Sequence, residues 1–195
     1  VQIGLSPTES AADSKPITTS GSIDRAVPKS PILADGRRRL PSLTSTLTPS
    51  HQNILDNIQA KIRADDRFLG LLAGGSLIHG GVDEFSDLDL VLVVADSDYD
   101  DVMAQRRAIA ERFGDLLAAF TGEHVGEPRL LICLYGPDTI HVDLKFIVPD
   151  ALSQLIEHPR VLFDRDGSVG ARLGDASVRW PDQNIDWFEE RFWIW

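Results

Sequence analysis

The sequence predicts an α/β (α+β) fold in which helices pack on a mixed β-sheet. Three observations point there. Segments with an apolar period of 3.6 alternate with segments of period two. Residues 88–95 (LDLVLVVA) are almost unbroken in Leu and Val, as expected of an interior strand covered on both faces. Two further apolar runs flank Gly136-Pro137-Asp138, a turn composition that predicts a hairpin. With 195 residues, 43% of them hydrophobic, the chain can bury one sizeable core rather than two full domains.

Residues 1–47 are rich in Ser, Thr and Pro, lack either apolar period, and read as a disordered arm; Arg37-Arg38-Arg39 within it reads as a solvated basic cluster before a phosphate-binding tail. Order is expected from Thr48-Pro49, a cap residue followed by Pro at the first helical position. The helix it opens carries Ile54, Leu55, Ile58 and Ile62 in one stripe that should lie on the sheet. Residues 68–73 predict a short buried strand that runs into a sharp turn at Gly74-Gly75-Ser76. After the 88–95 strand, Ser97 and Asp100 have the spacing of a capping box. Tyr99, Val102, Met103, Ile109, Phe113, Leu116, Leu117 and Phe120 then recur at helical spacing, which predicts one long amphipathic helix to about residue 120.

Strands are expected at about 129–135 and 140–148, a short helix near 151–157, a strand near 161–163, and a turn at Asp164-Arg165-Asp166-Gly167. From Ile185, Phe188, Phe192 and Trp195 follow helical spacing while Trp187, Trp193 and Ile194 crowd the other faces. A helix apolar on nearly all sides needs something to pack on, such as a second copy or a helical partner. The pattern stops in mid-helix, so the sequence reads as a piece of a longer protein. The expected organisation is an arm over 1–47, a folded domain over 48–170, and over 171–195 a linker with the start of a truncated C-terminal helical region.

Lys and Arg total 19 against 30 Asp and Glu, a formal charge of -11 that repels polyanions and argues against an extended nucleic-acid surface. A small anion can still be drawn to a local site built around divalent cations. Cys133 is the only cysteine, which excludes an internal disulfide framework and a cysteine-rich zinc site and fits a reducing cytoplasm. Its apolar neighbours, residues 130–134, predict a buried, inert thiol. No apolar run approaches the roughly 18 residues needed to span a bilayer, and the sequence opens at Val1 without a basic-then-apolar leader.

The chemistry-bearing residues fall in matching strand phase. Residues two apart on a strand share a face, so Asp87 and Asp89 project together at the start of the 88–95 strand. Paired carboxylates repel unless hard, oxygen-preferring cations sit between them, and Mg²⁺ is the natural one. The same period aligns His141, Asp143 and Lys145 in the strand at 140–148. If the two strands are neighbours, Asp143 is a third ligand and Lys145 can neutralise a phosphate. Gly74-Gly75-Ser76 lets backbone N–H groups converge on an anion and adds a hydroxyl at an expected helix start. Each part has a plainer reading: Asp87 as a strand cap, Ser76 as a helix cap, Asp143 with Lys145 as edge-strand charges. Agreement of all three in kind and phase is what favours a site.

Gly75-Ser76, ten intervening positions, Asp87-Leu88-Asp89-Leu90-Val91 and the later His141-Val142-Asp143 resemble the DNA polymerase beta-like nucleotidyltransferase superfamily. Residues 161–167 are similar to a strand and turn of its bacterial antibiotic-modifying branch, so the resemblance covers about residues 53–167. It implies the nucleotidyltransferase fold over the 48–170 domain, with Asp87, Asp89 and Asp143 as metal ligands for two Mg²⁺ ions. It also implies Asp143 as the group that helps deprotonate the acceptor, and Gly75 and Ser76 as the β- and γ-phosphate holders. The implied reaction is attack of an acceptor hydroxyl on the α-phosphorus of an NTP, with ATP the leading co-substrate, and release of pyrophosphate. The implied acceptor is a small hydroxylated molecule of the aminoglycoside type; a protein partner, as in antitoxin-type enzymes, and a non-catalytic nucleotide-binding module are the alternatives. Many members carry Lys or Arg in the loop after Gly-Ser, whereas residues 77–85 here contain His79, Asp83 and Glu84 and no such cation. His79 and His141 both read more readily as ordinary hydrogen-bonded residues than as reactive ones.

Overall fold

The computed structural model describes residues 47–79 and 82–178. The expected N-terminal arm up to residue 46 and the Trp-rich helix from Ile185 lie outside them. Helix α1 (Pro49–Ala64) begins where the sequence places it: the Thr48 hydroxyl accepts from the His51 N–H, and Pro49 occupies the first turn. Its stripe of Ile54, Leu55, Ile58 and Ile62 is buried on the sheet.

The chain then runs through β1 (Phe68–Ala73), the single turn of α2 (Ser76–His79), β2 (Leu88–Val94), α3 (Tyr99–Glu111), β3 (Leu116–Gly122), β4 (Glu127–Tyr135) and β5 (Ile140–Ile147). It ends with β6 (Gln154–Leu155), β7 (Arg160–Asp164), α4 (Ser168–Asp175) and β8 (Ser177–Val178). Six strands form one mixed sheet in the order β3-β4-β5-β2-β1-β7, and β6 pairs with β8 apart from it. Within the large sheet β2 and β5 are parallel and the other neighbours antiparallel.

One face of this sheet, bearing Leu71, Leu90, Leu92, Val142, Leu144 and Phe146, packs under α1 and α3 into the main core. On the opposite face Leu72, Val93 and Ile147 meet Leu152 and Val169, so that face is covered at one end. The remainder, where Asp89, Asp143 and Lys145 stand, borders a cavity. Each fully buried aliphatic chain contributes about 1.5–3 kcal/mol to the layer contact.

The long helix to residue 120 is not formed. Helix α3 stops at Glu111, and Leu116–Gly122 is β3, paired antiparallel with β4. Gly114 marks the break: a Cβ there would lie 2.9 Å from Ile54 Cδ1 and 3.3 Å from Tyr135 Cδ1, so the backbone threads closely between α1 and β4. Pairing to β4 then overrides a helical spacing that continued in phase. The capping box is also absent, because Ser97 Oγ donates to Asp98 and a 3₁₀ turn at Asp96–Asp98 leads into α3. Near residues 151–157 the expected helix is a 3₁₀ turn, Pro149–Ser153, cut short where Gln154–Leu155 pair with Ser177–Val178. Helix α4 was not foreseen. It follows directly from the Asp164-to-Gly167 turn, and the Asp164 carboxylate accepts from the Gly167 and Gly170 N–H groups at 2.9 and 2.8 Å.

Candidate functional site

Parallel pairing of β2 with β5 sets Asp89 directly opposite Asp143. Both side chains point to the sheet face away from α1 and α3, where alternation leaves Leu88, Leu90, Val142 and Leu144 on the core side. Asp87 immediately precedes β2. Its approach is fixed from below by His51, 1% exposed on α1: Nε2 donates to the Ser86 carbonyl at 2.9 Å, and Nδ1 lies 2.6 Å from the Thr48 hydroxyl. The hydroxyl of Ser86 and the N–H of Phe85 both donate to the Asp83 carboxylate, which closes the turn ahead of Asp87.

At the end of β1, the Gly74 N–H donates to the Asp89 carbonyl at 2.9 Å. The glycine turn thereby lies against the Asp89 side chain. Gly75 has φ +53°, and a Cβ at that position would fall 2.0 Å from Asp89 Oδ2. Only glycine meets both conditions, the left-handed backbone and the close approach of a carboxylate. Ser76 Oγ is buried in this turn without a hydrogen-bond partner among the described residues, which is uncommon for a buried hydroxyl.

The electrostatics match a crowded acidic site. Burial, then the charges of Asp143 and Asp87, hold the Asp89 carboxyl above the usual carboxylate range. Burial likewise raises Asp143, opposed by His141. His141 lies between two of the carboxylates, with Nδ1 3.0 Å from Asp87 Oδ1 and Nε2 2.9 Å from Asp143 Oδ1. His141 is thus a hydrogen-bonded strand residue, as expected, and stands on the face it shares with Asp143. Among the described residues no three His, Cys, Asp or Glu side chains are gathered closely enough to grip an ion as they stand. The imidazole occupies the space between Asp87 and Asp143. By chemistry the donors suit an oxygen-preferring divalent cation: three carboxylates, two of them raised by burial.

A cavity of about 770 Å³ runs across the sheet from Gly74 and Gly75, past Asp89 and Asp143, to Lys145 and Arg129. Its far wall is apolar, built by Val91, Ile147, Leu152, Leu155 and Ile156. This size and lining are typical of small-molecule sites. Lys145 shares the Asp143 face, as its spacing predicts, but its ammonium is 2.9 Å from Glu127 Oε2, and Arg129 forks onto the same carboxylate at 2.6 and 2.7 Å. Those bonds, the Arg129 one first, hold Glu127 well below the usual range, at about 2.

Glu127, Arg129 and Glu157 were missed from the sequence. Glu157 Oε1 accepts the Gly75 N–H at 2.9 Å and its Oε2 lies 2.8 Å from His79 Nε2. No motif flags these residues; only the fold brings residue 157 to residue 75. No known family's model matches the chain, and no curated protein matches it. Among the described residues no helix is long and apolar enough to cross a membrane.

Proposed function

We propose that this chain is a metal-dependent nucleotidyltransferase domain of the DNA polymerase beta-like kind, which moves a nucleoside monophosphate from an NTP, with ATP foremost, to an acceptor hydroxyl. One observation carries the reading: Asp89 and Asp143 face each other across parallel strands beside a glycine turn shaped around the Asp89 carboxylate. Asp87, Asp89 and Asp143 are the residues that would hold two Mg²⁺ ions, which when bound would neutralise the triphosphate and the charge that builds up as it is transferred.

The chain's own groups do the remainder. The Gly75 N–H and the Ser76 hydroxyl donate to phosphate oxygens. Asp143 takes the proton of the acceptor hydroxyl as its oxygen forms a bond to the α-phosphorus. The bond between the α-phosphorus and the bridging oxygen breaks, and pyrophosphate leaves with its electron pair. Leu152, Leu155 and Ile156 line the apolar side of the cavity. A small, hydroxylated, cationic acceptor of the aminoglycoside type is supported by the net charge of -11.

A second reading, a nucleotide-binding module without transfer, is favoured by His141, which is paired with two of the three carboxylates. Incubation of the full-length protein with α-labelled NTPs, Mg²⁺ and a panel of aminoglycosides, lincosamides and candidate protein acceptors separates the two. Nucleotidyl transfer predicts label on an acceptor, reduced about a thousandfold in Asp89→Asn. Tight Mg-ATP binding with no label on any acceptor would leave the non-catalytic module.

A further inference from the structure

His141 completes a two-by-two patch of side chains on neighbouring strands. Parallel pairing sets Leu88 against Val142 and Asp89 against Asp143, so Asp87, just before β2, comes beside His141. The four stand on one sheet face in two rows, Asp87 with His141 and Asp89 with Asp143. Both ring nitrogens face carboxylates: Nδ1 is 3.0 Å from Asp87 Oδ1 and Nε2 is 2.9 Å from Asp143 Oδ1. Two ligands held about 2.1 Å from one octahedral ion, at right angles, stand about 3.0 Å apart, which is the spacing of each of these pairs. His51 makes the contrast. It is 1% exposed and spends its ring on the Ser86 carbonyl and the Thr48 hydroxyl, a structural tie, whereas the His141 side chain is 34% exposed and open to an arriving ion.

We infer that His141 is a fourth metal ligand of this site, acting through one ring nitrogen, and that it turns the site's preference from Mg²⁺ toward a first-row transition ion, Mn²⁺ foremost. This rests on the metal-dependent reading of the site, and on neither the acceptor nor the transfer step. An ion bound beside one carboxylate replaces one of the two ring–carboxylate hydrogen bonds. The other ring nitrogen keeps its N–H on the remaining carboxylate, the arrangement that ordinarily orients a ligating histidine. An imidazole nitrogen adds little for Mg²⁺, which prefers oxygen and retains water, and more for Mn²⁺ and the ions that follow it in the series. The only thiol, Cys133, is buried in the core on the opposite face, so the set is three carboxylates and one imidazole without sulfur, which suits Mn²⁺ rather than softer ions.

Binding of the metal alone to the full chain, in a buffer without nitrogen ligands, is the test. In isothermal titration wild type should bind Mn²⁺ about tenfold or more tightly than Mg²⁺. His141→Gln should lose about tenfold or more of the Mn²⁺ affinity, while its Mg²⁺ affinity changes by less than about twofold. Loss of both affinities by the same factor would assign His141 a structural role and overturn the inference.

Pulsed electron paramagnetic resonance of bound Mn²⁺ gives a second measurement that needs no variant. Protein grown on ring-labelled ¹⁵N-histidine should show the coupling of a directly bound ¹⁵N in place of ¹⁴N. The coupling should vanish in His141→Gln and persist in His79→Gln, whose ring pairs with Glu157 instead. Bound Mn²⁺ without histidine nitrogen in its shell, or a coupling that survives in His141→Gln, sinks this inference and leaves the three-carboxylate site standing. Wild type that takes up neither ion removes the metal-dependent reading, and this inference with it.

Discussion

Substitution of Gly75 by alanine tests whether the turn is built around Asp89. At φ +53° a non-glycine residue costs about 1–2 kcal/mol. The new Cβ would stand 2.0 Å from Asp89 Oδ2 and 2.9 Å from its Cγ, so the carboxylate has to swing by about 1 Å or more to restore contact. Moving it off its rotamer costs about 0.5–1.5 kcal/mol, and the stiffer unfolded chain returns about 0.5 kcal/mol. The net loss is about 2 kcal/mol, a fall in melting temperature of about 4–8 °C for a domain of this size. A catalytic group misplaced by about 1 Å reduces transfer about a hundredfold, beyond what the stability change alone produces. Gly74→Ala is the control, since its Cβ would meet Glu157 Oε1 at 3.5 Å and Asp89 Cβ at 3.8 Å, ordinary contacts. Thermal melting and label transfer on both variants give the answer. Equal behaviour of the two, with Gly75→Ala melting and turning over like wild type, would refute the close approach.

Three further outcomes follow from the charges. In metal-free protein the raised Asp89 and Asp143 values mean that the native state holds their protons more tightly than the unfolded chain. The contribution of these two groups to stability should therefore be greatest below the ordinary carboxylate value of 3.8 and decline as pH rises through the raised values. Asp89→Asn should melt higher than wild type at neutral pH and depend less on pH across that window; a lower melting temperature there would contradict the crowding. Glu127, depressed from 4.5 to about 2 chiefly by Arg129, contributes stability above 4.5 that is lost as pH falls toward 2. The deficit of Glu127→Gln in thermal melts should accordingly shrink over that interval. Burial pushes the Cys133 thiol up to about 12, so a disulfide exchange reagent at pH 8 should leave it unmodified until the protein unfolds.

The sheet interior was legible because its pattern has one physical cause. Leu88–Val94 and Ile140–Ile147 bury one face completely and present Asp89, Asp143 and Lys145 on the other, so the alternation that sets the core also sets the site. Helix α1 was legible from its cap, its Pro and its stripe. Leu116–Gly122 was not, because LLAAFTG follows α3 in helical phase and only its pairing partners, Leu131 to Tyr135, make it a strand. The same reason hid half of the site. His141 shares a face with Asp143, which the spacing shows, but its position between Asp87 and Asp143 depends on the parallel register. Glu157 and Glu127 reach Gly75 and Lys145 across 82 and 18 positions, respectively, through contacts that no local pattern encodes.

The most direct test of the central claim follows both halves of the nucleotide in one reaction. Full-length protein, Mg²⁺, an acceptor identified by screening, and ATP labelled at either the α or the γ position should yield one acceptor-bound α-label for each labelled pyrophosphate released. Both products should disappear together in Asp143→Asn. Release of inorganic phosphate in place of pyrophosphate, or transfer that persists at the wild-type rate in Asp143→Asn, would contradict nucleotidyl transfer at this site.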